Sequence, residues 1–221
     1  MNTNRPKIGI IGAGAMGTLF GFHFAEQCDV TMLDQSESLL HDISKNGLCV
    51  NDASPRPVAT TSSARALFTS SVLFLFVKAV DTLSALRPFA GQLNPATPIV
   101  SLQNGVGNED AIKTALGSVP VVLGITTESS LTVGPGKVRS SQTGYTILGS
   151  GGASPTTSQR IVTLLQQSGL RAAVVYDIRP HLWGKLVANA AINAISALLD
   201  CEVGAIPRDA NAAALAQSIA R

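Results

Sequence analysis

The sequence predicts an α/β fold, a parallel sheet wound on both faces by helices and followed by a helical segment. Three observations carry this. Residues 7 to 11, KIGII, form a short β-branched run of the kind buried in a parallel sheet. The run passes straight into GAGAMG and then into an Ala-, Leu- and Phe-rich stretch reaching about residue 27, so strand, glycine turn and helix follow in order. Apolar runs then alternate with helical stretches as far as residue 126.

The second strand is DVTML at 29 to 33, after which Ser36 is placed to cap a helix that Gly47 ends in the left-handed conformation. Further strands are predicted at 71 to 77, 98 to 102 and 120 to 126, with helices at 81 to 91 and 108 to 116. From residue 131 the stretch LTVGPGKVRSSQTGYTILG sets turn residues between alternating segments, which predicts antiparallel pairing at a sheet edge. SGGASP is a loop, TTSQRIVTLLQQSG a helix closed by Gly169, and LRAAVVY a last strand. Asp177 and Pro180 mark the start of a helix containing HLWGKLVANAAINAISALL, because Asp caps and proline is tolerated in a first turn. The alanine-rich end, DANAAALAQSIAR, also reads as helix. A domain boundary is expected near residue 178, with the α/β domain over 1–178 and the start of a helical domain over 179–221.

Composition narrows the function. The chain has 221 residues, 45% hydrophobic and 14% charged, with a net charge of +2 and no basic tract of the kind that follows nucleic acid or anionic lipid. Neither nucleic acid nor membrane is an expected partner. The longest apolar stretch, 186 to 199, is too short for a bilayer span of roughly 20 residues. Cys28, Cys49 and Cys201 are odd in number and lack metal-ligand spacing, so a reducing cytoplasm and no metal site are expected. MNTNRPKIGIIG runs directly into a strand, and no export signal is read there.

Gly12, Gly14 and Gly17 satisfy GxGxxG directly after a strand and at the opening of a helix. The first glycine permits a tight turn, the second lets a pyrophosphate approach the backbone, and the third allows helix to pack on strand. The helix N-terminus adds N–H groups and positive partial charge. The loop Gly12, Ala13, Gly14, Ala15, Met16 and Gly17 is therefore assigned to cofactor binding. Asp34 closes the second strand 20 residues after Gly14, where an acid accepts ribose hydroxyls and repels a 2′-phosphate, which favours NAD(H). Two alternatives stay open: Asp34 could cap the helix at 36, and Arg56 or Lys45 could approach the pocket from loops.

Lys78 ends the apolar run FLFVK, and Asn104 sits in QNGVG after another strand. In an open α/β sheet the carboxyl ends of strands border the ligand crevice, so both are candidates for binding cofactor and substrate. A solvated lysine and an ordinary Asn-Gly turn are the plainer alternatives. Lys185, Asn189 and Asn193 stand four residues apart in an otherwise apolar helix, nearly in line and drifting by about 40° per step. A helix this apolar is expected to pack on more than one side, and buried polar groups need partners, so a polar substrate is the expected partner of this stripe.

The segments IGIIGAGAMG, VKAVDT, QNGVG, GPGKV and above all DIRPHLWGKLVANAAINAISAL resemble the ketopantoate reductase family, over essentially the whole chain and in the same order. The resemblance implies a Rossmann domain and an α-helical C-terminal domain whose cleft holds NADPH and a 2-keto acid. It makes Lys185 the catalytic acid, Asn189 and Asn193 holders of the substrate, and Lys78 and Asn104 residues of the same pocket. It also implies NADP(H), against the NAD(H) read from Asp34. The family continues into helices carrying an active-site serine and acid, for which the residues up to Arg221 offer no counterpart, so the helical domain is expected to be incomplete. The activity implied is reduction of ketopantoate to pantoate, in pantothenate and coenzyme A biosynthesis. A related hydroxyacid dehydrogenase and a noncatalytic dinucleotide-binding module are the alternatives, and exposed apolar faces would favour a homodimer.

Overall fold

The computed structural model describes residues 5–220. The outer limits of both expected domains, at residues 1–4 and at Arg221, lie outside them. The chain divides into two compact units, the first running to Gln103 and again over Gly107–Ile178, the second made of Asn104–Val106 and the chain from Arg179.

Among the described residues the first unit contains eleven strands: β1 (Lys7–Ile11), β2 (Asp29–Leu33), β3 (Cys49–Val50), β4 (Ala59–Thr61), β5 (Val72–Leu75), β6 (Ile99–Ser101), β7 (Val121–Thr126), β8 (Ser130–Gly134), β9 (Lys137–Ser140), β10 (Thr146–Ser150) and β11 (Ala172–Val174). Eight of them form one sheet in the order β11-β10-β7-β6-β5-β1-β2-β4. Only the β10–β7 pairing is antiparallel. The chain leaves β1 toward β2 and β4, then returns to β5 on the other side of β1, so the strand order reverses between β1 and β5. A ligand crevice is expected outside the carboxyl ends of the strands at such a reversal.

Helix α1 (Ala15–Phe24) follows the glycine turn and is buried on nearly every side. Phe24 packs on Phe74 of β5 with ring centroids 4.7 Å apart, and Phe20 on Phe76 at 4.9 Å. Its outer face is covered by a second, three-stranded sheet, β3-β9-β8, in which Val138 is buried. This corrects the expectation that the region from 131 pairs at a sheet edge. The β8–β9 hairpin is antiparallel as predicted, but a helix apolar all round needs a covering layer, and the hairpin supplies it. Strand β10 does join the main sheet, inside β11 rather than at the edge.

Helix α2 (Glu37–Asn46) is capped by Ser36, whose hydroxyl accepts from the Leu39 N–H at 3.3 Å. Gly47 has φ +73° but ψ −175°, so it ends the helix at positive φ without being left-handed helical. The helix predicted at 81 to 91 is broken into a 3₁₀ turn (Ala79–Asp81), α3 (Thr82–Leu86) and a second 3₁₀ turn (Arg87–Phe89). Pro88 explains the break, since it lacks an N–H and its ring opposes the preceding helical turn. Helices α4 (Asn108–Leu116) and α5 (Pro155–Gln167) fall where the pattern placed them, and Gly169 closes α5 with φ +80°.

The second unit contains α6 (Arg179–Leu198), a 3₁₀ segment (Val203–Arg208) and α7 (Ala210–Ile219), capped by Asp209 through the N–H groups of Asn211 and Ala212. Its core is small: Ile195, Ile206 and Ala212, with Ile192, Cys201 and Ala216 against them. Among the described residues no helix is long and apolar enough to cross a membrane.

Candidate functional site

A pocket of about 860 Å³ opens at the reversal of the main sheet and belongs wholly to the first unit, which is within the roughly 300–1,000 Å³ of small-ligand sites. Gly12 and Gly14 line it from the glycine turn, Asp34 from the end of β2, and Val77 and Lys78 from the turn after β5. Four residues singled out from the sequence, Gly12, Gly14, Asp34 and Lys78, are thus brought to one cavity.

The glycines do different things. Gly12 has φ +102°, and a Cβ there would fall 2.9 Å from the Val77 nitrogen. At Gly17 a Cβ would collide with the Gly12 carbonyl oxygen, so the helix reaches the strand only without a side chain. Gly14 differs: a Cβ there would meet nothing within 4 Å. The space in front of it is open, and the first turn of α1 directs N–H groups with no intrahelical acceptor toward that end. This arrangement can hold a pyrophosphate.

Asp34 is already engaged by the protein. One carboxylate oxygen accepts from the Ala13 N–H at 2.8 Å, the other from the Ser36 N–H at 3.0 Å. The helix cap is therefore Ser36, and Asp34 clasps the glycine turn to the end of β2. Each carboxylate oxygen retains a second lone pair that can accept from a ligand hydroxyl. Ala13 is buried and its N–H is committed to Asp34; Ala15 and Met16 lie half-buried in the first turn of α1, where the Ser130 hydroxyl donates to the Ala15 carbonyl at 3.1 Å.

The two cations weighed for this pocket do not line it. Arg56 donates to Glu26 at 2.9 Å and to the Phe22 carbonyl at 2.8 Å, with its guanidinium 4.1 Å from the Phe22 ring centroid. Lys45, in the last turn of α2, is not in the lining either. The cations that do line it are Lys78, which is exposed, and Arg65, which sequence reasoning missed. Arg65 lies in a short 3₁₀ turn (Ala64–Leu67) after β4, and neither of those elements is long enough to show a period.

Asn104 is exposed and groups with the second unit, outside the pocket lining. In α6, Lys185 and Asn189 are half-buried and Asn193 is exposed. Burial holds the Lys185 ammonium below the ordinary lysine value. Ala191 and Ile195 are the buried residues of α6, Leu182, Leu186 and Ile192 are half-buried, and Trp183, Val187 and Leu198 are exposed.

A sheet that reverses at β1/β5, with a glycine turn, an open cradle and an acid at the end of β2, defines a Rossmann-type dinucleotide-binding unit. The family described as ketopantoate reductase PanE/ApbA matches residues 8–152, and its C-terminal part matches residues 177–221. The chain belongs to this family. A 2-dehydropantoate 2-reductase of Streptococcus pyogenes serotype M3 is 29% identical over 199 residues, 88% of this chain and 65% of the relative. One of Archaeoglobus fulgidus is 31% identical over 219 residues, 97% of this chain and 71% of the relative. The chain thus spans about 65% of the length of the Streptococcus relative. Among solved structures, a PanE/ApbA family ketopantoate reductase from Ralstonia eutropha JMP134 superimposes with a TM-score of 0.84 at 25% identity, over 96% of this chain and 70% of that one. D-mandelate dehydrogenase in complex with NADH has the same fold, with a TM-score of 0.86 at 24% identity over 97% and 70% of the two chains.

Proposed function

We propose that the chain is an NAD(P)H-dependent oxidoreductase that reduces 2-dehydropantoate to pantoate in pantothenate biosynthesis. The observation that carries this reading most directly is the pocket at the sheet reversal, lined by Gly12, Gly14, Asp34 and Lys78, in a chain of this family. The nicotinamide, when bound, supplies a hydride to the ketone carbon. The residues 1–178 act as the cofactor domain, and those from 179 to 221 as part of a substrate domain.

In this proposal Lys185 protonates the developing alkoxide. An ammonium suits that role because it offers charge to the oxygen and then a proton, and burial brings its pKa closer to neutral pH. Asn189 and Asn193, four and eight residues on, hold the substrate's hydroxyl and carboxylate without adding charge that competes with the lysine. Asn104 and Lys78 assist in placing substrate and cofactor. NADH is the preferred cofactor, because the Asp34 carboxylate repels a 2′-phosphate; Arg65, in the same lining, is the group available to accept one, which makes NADPH the weaker second cofactor. The exposed Trp183, Leu198, Leu199 and Leu215 support association into a homodimer, and three free cysteines suit a reducing cytoplasm.

The test is steady-state reduction of 2-dehydropantoate against other branched 2-keto acids with both cofactors. The reading expects 2-dehydropantoate to have the highest kcat/KM. Equal turnover of the other acids replaces the narrow substrate with a broader hydroxyacid dehydrogenase. Dinucleotide binding with no turnover of any acid replaces the enzyme with a binding module.

A further inference from the structure

We infer that Gln103 is a positioning residue of the cofactor crevice: its buried side-chain amide fixes the Val77–Lys78 turn against the glycine loop and so sets where Lys78 stands at the pocket rim. The inference rests on the dinucleotide reading of that pocket.

Gln103 lies two residues past the end of β6 and is 8% exposed. Its Nε2 donates to the Val77 carbonyl at 2.8 Å and to the Thr82 hydroxyl at 2.9 Å, while its Oε1 accepts from the Ser101 hydroxyl at 2.9 Å. Thr82 and Ser101 are themselves buried. Both amide protons and one lone pair of the oxygen are thereby used. A polar group removed from water costs free energy unless paired in this way.

What the amide grips is the part of the crevice that no ladder holds. β5 ends at Leu75, and the Phe76 N–H still donates to the Ile11 carbonyl at 2.8 Å. Val77, one residue further, lies against the Gly12 turn, with its nitrogen where a Cβ on residue 12 would be 2.9 Å away. The Val77 peptide is thus caught between the glycine turn on one side and the Gln103 amide on the other. Lys78 follows in an extended conformation and opens the 3₁₀ turn that leads to Thr82, the amide's second acceptor. One side chain therefore ties both ends of the 77–82 segment to the end of β6. An exposed lysine keeps a defined place at a pocket rim only if its backbone is held; the Asp81 N–H closes the turn on the Lys78 carbonyl at 2.9 Å, and the Gln103 amide anchors that turn to the end of β6.

The test is a double-mutant cycle on NADH affinity, measured by fluorescence titration of the full chain, with Gln103→Met, Lys78→Ala and the double variant. Met fills the space without donating. Gln103→Met is expected to weaken NADH about 3- to 10-fold, and the double variant to bind no more weakly than the weaker single variant. A structural amide with no positioning role would leave NADH affinity unchanged or give effects that multiply across the two sites, and either result overturns the inference. Should Gln103→Met not fold, Thr82→Val removes one acceptor in a near-isosteric way and is expected to weaken NADH about 2-fold, again only when Lys78 is present. Failure of the unsubstituted chain to bind any dinucleotide overturns the reading of the pocket itself. Normal binding by that chain together with unaltered Gln103 and Thr82 variants overturns this inference alone.

Discussion

Replacing Asp34 tests two roles that the structure assigns to one carboxylate. Its two oxygens accept from different backbone donors, the Ala13 N–H at 2.8 Å and the Ser36 N–H at 3.0 Å. Asparagine has one acceptor oxygen, so Asp34→Asn can serve only one of them. Ser36 is exposed and its N–H can turn to water, whereas Ala13 is 2% exposed and has no such route. The asparagine oxygen is therefore expected to face Ala13, with a loss of about 1 kcal/mol for the second bond and the charge assistance. Asp34→Ala leaves the buried N–H without this acceptor and is expected to cost about 2–3 kcal/mol. For a chain of this size each kcal/mol lowers Tm by about 2–4 °C, so the order of melting temperatures is unsubstituted, Asn, Ala. If the carboxylate also faces the cofactor ribose, both variants lose repulsion toward a 2′-phosphate, and the ratio of NADPH to NADH dissociation constants falls about 10-fold. Thermal denaturation and nucleotide titration read the two effects separately. An alanine variant as stable as the parent refutes the clasp, and an unchanged cofactor ratio refutes the ribose contact.

Phe74→Ala removes a ring that is fully buried between β5 and Phe24, and is expected to cost about 3–5 kcal/mol in chemical denaturation. His23 is held below the ordinary histidine value, first by burial and against the Ser168 carbonyl to which its Nδ1–H donates. The unfolded chain therefore takes up its proton first. Stability is unaffected above about pH 6.5, falls as pH drops from there toward the lowered folded-state value, and keeps the full penalty below it. His23→Gln is expected to flatten that part of the stability profile measured by urea titration. The Lys185 ammonium is held down by burial, so if it is the acid, kcat/KM falls as pH rises through a midpoint below the ordinary lysine value of about 10.4. A pH profile that is flat to pH 10 contradicts that role.

Much of the first unit was legible because its signals are local. KIGII, GAGAMG and DVTML carry the strand, turn and second strand within 27 residues, and the observed β1 and β2 have the predicted bounds. The 81 to 91 helix was misread because Pro88 outweighs the apolar spacing around it. β3 and β4 are two and three residues long, too short for any periodicity to register, and Arg65 was lost with them. The β8–β9 hairpin was recognised as a pair, but nothing in its own residues says that it must cover α1; that follows from the apolar sequence of α1, some 110 residues earlier. Residues acting through distant partners were the hardest to see. Gln103 carries no signal of its own in the sequence, and its amide's place between Val77 and Thr82 appears only in the fold; Asp34 reads as a ribose ligand or a helix cap, and its bond from the Ala13 N–H likewise appears only there. The helix with Lys185, Asn189 and Asn193 shows the reverse problem, since its composition suggests burial on several sides and Asn193 is exposed.

The most direct measurement of the central claim is single-turnover reduction of 2-dehydropantoate by the Lys185→Ala variant, with cofactor affinity measured on the same sample. The account expects the hydride-transfer rate to fall by at least about 100-fold, the size typical of a lost general acid, while NADH binds as it does to the unsubstituted chain. A variant that reduces the ketone at the parent rate contradicts it.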